Sequence, residues 1–168
     1  VLPDIAFLKA NIDELLIDNF NQTNFSLLGR PVGNSLLIAI NSNQMNANLE
    51  WKKAQNGKEP ELIAHISKLF IPSSARDAAE KSKPVQIQGG WPAINAVIDD
   101  LTYGNMRLGK LELVARNTPS TKGQLWKITK LNLSNSAAQL RSSGSWLKGF
   151  DGGNETNLLI NTNINNLG

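Results

Sequence analysis

Alternation of apolar and polar residues is the dominant pattern along this chain, and it predicts β-strands. In Met45–Lys52 every second residue is apolar and the residues between them are all polar. A period of two is typical of a strand with one face in water. Residues 94–99 and 111–115 show a similar alternation, and Tyr103-Gly104-Asn105 between them favours a hairpin turn.

The same criteria predict strands through most of the remaining chain. The predicted strands are 5–12, 36–40, 62–71, 125–133, 138–146 and 158–164, with extended chain at 25–28 and turn and strand over 13–20. The predicted turns and loops are 29–34, 53–60, 117–123 and 148–154. The apolar positions change parity near Thr129 and Lys130, which predicts a β-bulge. The chain is therefore expected to be all-β, with an antiparallel sheet.

One segment, residues 72–88, differs from its surroundings. It is polar, and Ser74 precedes Asp77 by three residues, as in a helix-capping box. The run Ala75-Arg76-Asp77-Ala78-Ala79-Glu80-Lys81 also favours helix. The segment is expected to be a short helix or a linker between two β units.

The order of features after this segment repeats the order before it. Residues 45–51 align with 140–146, and each stretch ends in Trp. Residues 62–66 align with the strand that begins at Leu158. This order predicts a first repeat unit at 1–71 and a second at 89–168, forming one sheet that lengthens by adding units.

Composition excludes several classes of function. The chain has 168 residues, a formal net charge of +3 and no cysteine, so disulfide frameworks, thiol catalysis and Cys-zinc sites are excluded. The 17 basic residues are spread along the sequence, which argues against a nucleic-acid groove. His65 is the only histidine, and Asp99 and Asp100 are adjacent strand residues that point to opposite faces. We therefore expect no enzyme activity, metal site or cofactor.

The chain gives no sign of a membrane segment or a leader. No apolar stretch approaches the ~20 residues that a membrane-spanning helix needs. The sequence begins at Val1 without Met. We expect it to be a fragment of a longer protein, with targeting signals outside it.

The second half of the chain resembles the YhdP branch of the AsmA-like bacterial envelope proteins, and the first half resembles it more loosely. The order of the motifs is W-P-x-I, D-L-x-Y-G-x-x-x-L-G-x-L-x-L, W-x-I-x-x-L-x-L, A-x-L-x-x-x-G-x-W and a final strand before L-G. The matching residues are Trp91, Pro92, Asp100, Leu101, Tyr103, Gly104, Leu108, Gly109, Leu111, Leu113, Trp126, Ile128, Leu131, Leu133, Leu140, Gly144, Trp146, Leu158, Leu167 and Gly168. The first unit departs from this pattern at Asn21 and Leu49.

This resemblance implies a sheet curled into an open, apolar groove. It also implies an inner-membrane-anchored protein that projects into the periplasm and carries phospholipid acyl chains between inner and outer membranes. The implied partners are phospholipid and neighbouring repeats of the same full-length chain, with membrane contact through regions outside this fragment and no nucleic acid. Such a groove shields acyl chains at roughly 0.8 kcal/mol per buried CH₂ group.

The residues expected to line the groove are apolar positions on four predicted strands. They are Met45, Ala47, Leu49, Trp51, Leu111, Leu113, Leu140, Trp146, Leu158 and Ile160. A register slip of one residue would reverse the face on which each set lies. The alternative is a closed β-sandwich with a structural or adhesive role, whose surface binds a protein or glycan partner.

Overall fold

The computed structural model describes residues 7–17, 20–73, 92–118, 120–149 and 153–165. The predicted short helix or linker at 72–88 lies outside the described residues beyond Ser73. Within the described residues the secondary structure is entirely strand, turn and loop. The all-β prediction is therefore confirmed.

The described residues form ten strands that follow one another in the sheet in chain order. They are β1 (Leu8–Ile17), β2 (Phe20–Val32), β3 (Ser35–Asn41), β4 (Met45–Lys52), β5 (Glu61–Ile71), β6 (Ala93–Tyr103), β7 (Met106–Thr118), β8 (Gly123–Ser134), β9 (Ala138–Gly149) and β10 (Asn154–Ile164). Each strand is hydrogen bonded to the next, and β1 and β10 are the two edges. The sheet is thus open rather than closed on itself.

The prediction of a purely antiparallel sheet is wrong at one pair of strands. β5 and β6 run parallel, with Ala64 opposite Ala96. All other neighbouring pairs are antiparallel. The sheet therefore consists of two antiparallel groups, β1–β5 and β6–β10, that meet at the parallel pair. That arrangement is compatible with the predicted duplication, which remains a prediction.

Several boundaries differ from those predicted, because strand pairing outweighs local turn propensity. β2 continues through residues 29–32, which were predicted as turn, since Arg30 and Pro31 pair with Leu37 and Leu36. The turn itself is confined to Gly33 and Asn34, and Gly33 has a φ of +57°. β1 continues to Ile17, beyond the predicted end at residue 12.

The predicted bulge in β8 is confirmed. The register between β7 and β8 shifts between Val114 and Ala115, which pair with Lys130 and Ile128 respectively. Thr129 is therefore the extra residue, and its hydroxyl donates a hydrogen bond to the Val114 carbonyl at 3.3 Å. The bulge lets the residues on both sides of it keep their apolar side chains on one face.

Small residues form the best-buried part of the sheet. Ala47, Ala64 and Ala115 are among the buried apolar residues, and Ala115 is 0% exposed. No large side chain of the described residues is fully buried. This burial pattern fits a single layer, in which side chains on one face cover one another only in part.

Candidate functional site on the apolar face

The strand registers place an unbroken row of residues on one face of all ten strands. Residues directly opposite each other in paired strands share a face, so the row can be followed from β1 to β10. It consists of Leu8, Gly29, Ile38, Leu49, Ala64, Ala96, Leu113, Leu131, Ser142 and Ile160. With strands ~4.8 Å apart, this row is about 40 Å long, measured along the sheet.

Two further rows flank this one on the same face. One contains Pro31, Leu36, Trp51, Leu62, Ile94, Ala115, Ile128, Gly144 and Leu158. The other contains Ala10, Leu27, Ile40, Ala47, Ile66, Ile98, Leu111, Leu133, Leu140 and Thr162. We call these three rows the apolar face, and they contain no charged residue.

All ten residues predicted to line a groove lie on this side of the sheet. Eight of them belong to the three rows just described. The other two extend the apolar surface by one step along a strand. Met45 lies two residues before Ala47 and pairs with Leu69, and Trp146 lies two residues beyond Gly144 and pairs with Trp126. The structure thus brings the ten residues together on one surface, and their role in binding remains a proposal.

The opposite face of the same strands is predominantly polar. The row behind Leu49 runs through Lys9, Leu28, Ala39, Asn48, His65, Val97, Glu112, Asn132, Arg141 and Asn161. We call this side the polar face. The contrast between the two sides is the property expected of a sheet with one solvated face.

Two ion pairs on the polar face are short and at least partly exposed to solvent. His65 Nε2 lies 2.7 Å from Asp99 Oδ2, and Lys130 Nζ lies 3.0 Å from Glu112 Oε2. The Lys130 ammonium group is the main reason that the pKa of Glu112 is lowered from its ordinary value of 4.5. Exposed pairs of this kind contribute little to stability, so they describe the solvated side rather than a reaction centre.

The adjacent residues Asp99 and Asp100 have different partners. Asp100 accepts hydrogen bonds from Arg107 Nε and Nη2 at 3.0 and 3.2 Å, whereas Asp99 contacts His65. Within the described residues, no group of three or more His, Cys, Asp or Glu side chains has an arrangement that could hold a metal ion. The two adjacent aspartates therefore do not act as a carboxylate pair.

Trp126 and Trp146 extend the apolar face toward one end of β8 and β9. Their ring centroids are 6.1 Å apart and the ring planes make an angle of 72°, which is an edge-to-face contact. Trp51 lies on the same side of the sheet, in the row that ends at Leu158. Both strands that were predicted to end in Trp therefore present that residue on the apolar side.

Concave regions also occur away from the apolar face. One, of about 890 Å³, lies at a rim of the sheet and is bordered by Glu61, Arg116 and Ser120. Another, of about 370 Å³, is bordered chiefly by residues of the polar face, including Leu37, Ile63 and His65. Neither coincides with the predicted groove residues as a set. The apolar face is a broad surface rather than an enclosed cavity.

One set of polar-face residues was not predicted from the sequence. β7, β8 and β9 carry Lys110, Arg116, Lys127, Lys130 and Arg141 on that face. These cations are scattered in sequence and become neighbours only through strand pairing. The parity change near Thr129 was the available signal, because it decides that Lys127 and Lys130 share a face.

These features define a class of protein. The described residues form one open sheet, without a second sheet or a helix, and three adjacent rows on one face of it make an apolar, uncharged surface. The two-sheet arrangement of the sandwich alternative is not present in this part of the chain. The protein is therefore an open β-sheet protein with a broad apolar face.

The chain belongs to the YhdP family. The family model described as YhdP protein matches residues 1–168, the whole of the sequence. Comparison with the curated proteins and with the solved structures gives no match. In the described parts of the chain, we find no helix with the length and apolar character needed to cross a membrane.

Proposed function

We propose that this chain is a segment of a lipid-transfer protein of the bacterial envelope, and that its apolar face holds phospholipid acyl chains. The observation that carries the proposal is the uncharged apolar surface that continues over all ten strands. In the proposal the sheet curves so that this surface is the floor of an open groove. Family membership is consistent with this role.

The size of the apolar face suits an acyl chain. Met45 to Trp51 covers about 20 Å along β4 at ~3.4 Å per residue. One leaflet of the hydrocarbon core of a bilayer is about 15 Å thick, half of ~30 Å. An extended acyl chain therefore fits on this surface in either direction, with its headgroup in water at the open side.

The side chains on this face also suit a ligand that moves. Ile160 is 56% exposed and Leu158 is 36% exposed, so apolar area remains accessible to a ligand. Methylene groups gain about 0.8 kcal/mol each when buried, and this gain has no directional requirement. A lipid can therefore shift along such a floor without breaking specific contacts.

We place the segment in the periplasm, as part of an inner-membrane-anchored protein, with neighbouring repeats of the full-length chain continuing the sheet. In this role it needs neither a cofactor nor a catalytic group, so we propose that it is not an enzyme. The work of the segment is to keep acyl chains out of water.

The test compares two variants on adjacent residues of β4. Leu49→Asp places a carboxylate on the apolar face, whereas Asn48→Asp places one on the polar face, where Asn48 is already exposed. Native mass spectrometry and solvent extraction of the gently purified protein measure bound phospholipid. We expect wild type and Asn48→Asp to retain lipid and Leu49→Asp to lose most of it.

A second variant keeps this test valid if Leu49→Asp does not fold. Ile160→Asp changes the same row on the edge strand β10, where the native side chain is 56% exposed. Equal lipid loading in wild type and in folded Ile160→Asp and Leu49→Asp would contradict the proposal. Absence of lipid from the wild-type protein, including after incubation with phospholipid vesicles, would contradict it as well.

A further inference from the structure

The polar face carries a concentration of positive charge on three adjacent strands. We call Lys110, Arg116, Lys127, Lys130 and Arg141 the basic patch, which lies on β7, β8 and β9. Glu112 is the one carboxylate within the same part of these strands. The whole chain has a formal net charge of only +3, so the patch is more positive than the protein as a whole.

The β-bulge at Thr129 creates part of this concentration. Residues three apart on a regular strand point to opposite faces, but Lys127 pairs with Arg116 and Lys130 pairs with Val114, which are both on the polar face. The extra residue between them therefore brings both lysines to one side. Bulges commonly re-aim side chains in this way at functional positions.

Arg116 and Lys127 lie directly opposite one another on neighbouring strands. Like charges in this position repel and destabilise the pairing. The Glu61 carboxylate lies 3.8 Å from Arg116 Nη2, which is a long ion pair, and it is shared with Lys52 Nζ at 3.6 Å. The repulsion between Arg116 and Lys127 is thus incompletely compensated within the sheet.

Glu112, the carboxylate on the patch strands themselves, is already engaged. Glu112 Oε2 contacts Lys130 Nζ at 3.0 Å and accepts a hydrogen bond from Asn132 at 3.4 Å. Among the described residues, Lys127 and Arg141 have no carboxylate within ion-pair distance. Both side chains are exposed, so their charges are available to a partner.

We propose that the basic patch is a docking surface for an acidic segment of a partner protein. Arginine binds carboxylates through two parallel hydrogen bonds, and Arg116 and Arg141 provide this capacity. Neighbouring Ser143 and Ser145 on β9 add hydroxyl groups for hydrogen bonds with a peptide backbone. Partner docking on this face leaves the apolar face free, so the inference holds independently of lipid binding.

The composition of the patch favours an acidic polypeptide over other anionic partners. Single-stranded nucleic acids need aromatic platforms, but Trp126 and Trp146 are on the opposite side of these strands. Binding in a membrane interface is strengthened by a band of exposed apolar residues beside the cations. On this side, Leu159 of the neighbouring strand β10 is 77% exposed, whereas the facing pair Leu125 and Leu147 is only partly exposed, so the described residues do not form such a band.

The test measures binding of a fluorescent Glu-rich peptide by anisotropy, with an uncharged Gln-rich peptide of equal length as reference. The patch variant is Lys127→Gln with Arg141→Gln. The matched control is Lys9→Gln with Arg30→Gln, which removes the same charge from exposed positions on the polar face of β1 and β2. Circular dichroism verifies that both variants fold.

We expect the patch variant to bind the acidic peptide about tenfold more weakly than wild type. The control variant should change affinity less than about twofold, and raising salt from about 20 to about 200 mM should weaken wild-type binding. Equal losses in both variants would mean general charge attraction and overturn the proposal. Binding of phosphatidylglycerol vesicles through the patch, without peptide binding, would overturn it in favour of a membrane surface.

Discussion

Trp126 and Trp146 are directly opposed on β8 and β9, and their rings meet edge to face at 6.1 Å. Aromatic pairs in this geometry contribute beyond the area that they bury. We predict a coupling free energy of about 1 kcal/mol between them. Urea unfolding of Trp126→Leu, Trp146→Leu and the double variant measures it, and additive effects of the two substitutions would contradict a specific ring contact.

Gly109 allows a close backbone approach that a side chain would prevent. It has a φ of +89°, and a Cβ atom there would lie 2.3 Å from the Ser134 carbonyl oxygen. We predict that Gly109→Ala lowers the free energy of unfolding by about 3 kcal/mol, as steric conflict adds to backbone strain. Thermal and urea denaturation measure the loss.

Gly33→Ala is the matched control for that substitution. Gly33 also has a positive φ, +57°, but a Cβ atom there has no atom within 4 Å. Its substitution should therefore cost only the backbone strain, about 1 kcal/mol. Similar losses for the two alanine variants would show that the approach to Ser134 is relieved by a small shift of the strands.

Ser142 is a polar residue in the middle row of the apolar face. It is 7% exposed, and its hydroxyl has no hydrogen-bond partner among the described residues. Removing a buried, unpaired hydroxyl relieves its desolvation cost. We predict that Ser142→Ala raises the free energy of unfolding by about 1 kcal/mol. Ser143→Ala, at an exposed position on the polar face, should leave the free energy of unfolding unchanged. A loss of stability in Ser142→Ala would contradict the prediction and indicate that the Ser142 hydroxyl has a hydrogen-bond partner.

The Glu112 carboxylate provides a prediction about pH. Its pKa is lowered in the folded protein, mainly by Lys130. Its contribution to stability is therefore present above its unfolded pKa and is lost as pH falls through the folded pKa. We predict that Lys130→Met raises the pKa of Glu112 toward 4.5.

Carboxyl-carbon NMR titration of Glu112 tests that prediction. Lys127→Met is the control, since Lys127 lies on the same strand and face but opposite Arg116. We expect a clearly smaller change in the pKa of Glu112 in that variant. Equal changes in both variants would assign the effect to overall charge rather than to the contact between Lys130 and Glu112.

The sequence predicted much of the sheet because strand alternation is a local signal. The strand Met45–Lys52 agrees with its predicted limits, and the hairpin at Gly104-Asn105 and the bulge at Thr129 are confirmed. The placement of Leu49, Leu113 and Ile160 on one face also follows from alternation, once pairing fixes the register. Local alternation was therefore sufficient to predict most strands and the residues of each strand that share a face.

The parallel pairing of β5 with β6 was not predictable in the same way. Strand direction depends on how the chain returns after Ile71, and no periodicity in either strand encodes it. The basic patch was missed for a related reason. Arg116 and Lys127 are eleven positions apart in sequence and become opposite only through the β7–β8 register. Relationships across strands are set by the whole sheet.

The single parallel pair determines the direction in which each group of strands begins. Five strands alternate in direction, so β5 runs the same way as β1, and the parallel step makes β6 run that way too. An antiparallel step would have inverted β6–β10 with respect to β1–β5. Because the β5–β6 step is parallel, the paired ends of β1 and β2 and the turn between β6 and β7 lie at the same margin of the sheet, and the second group repeats the strand directions of the first by translation.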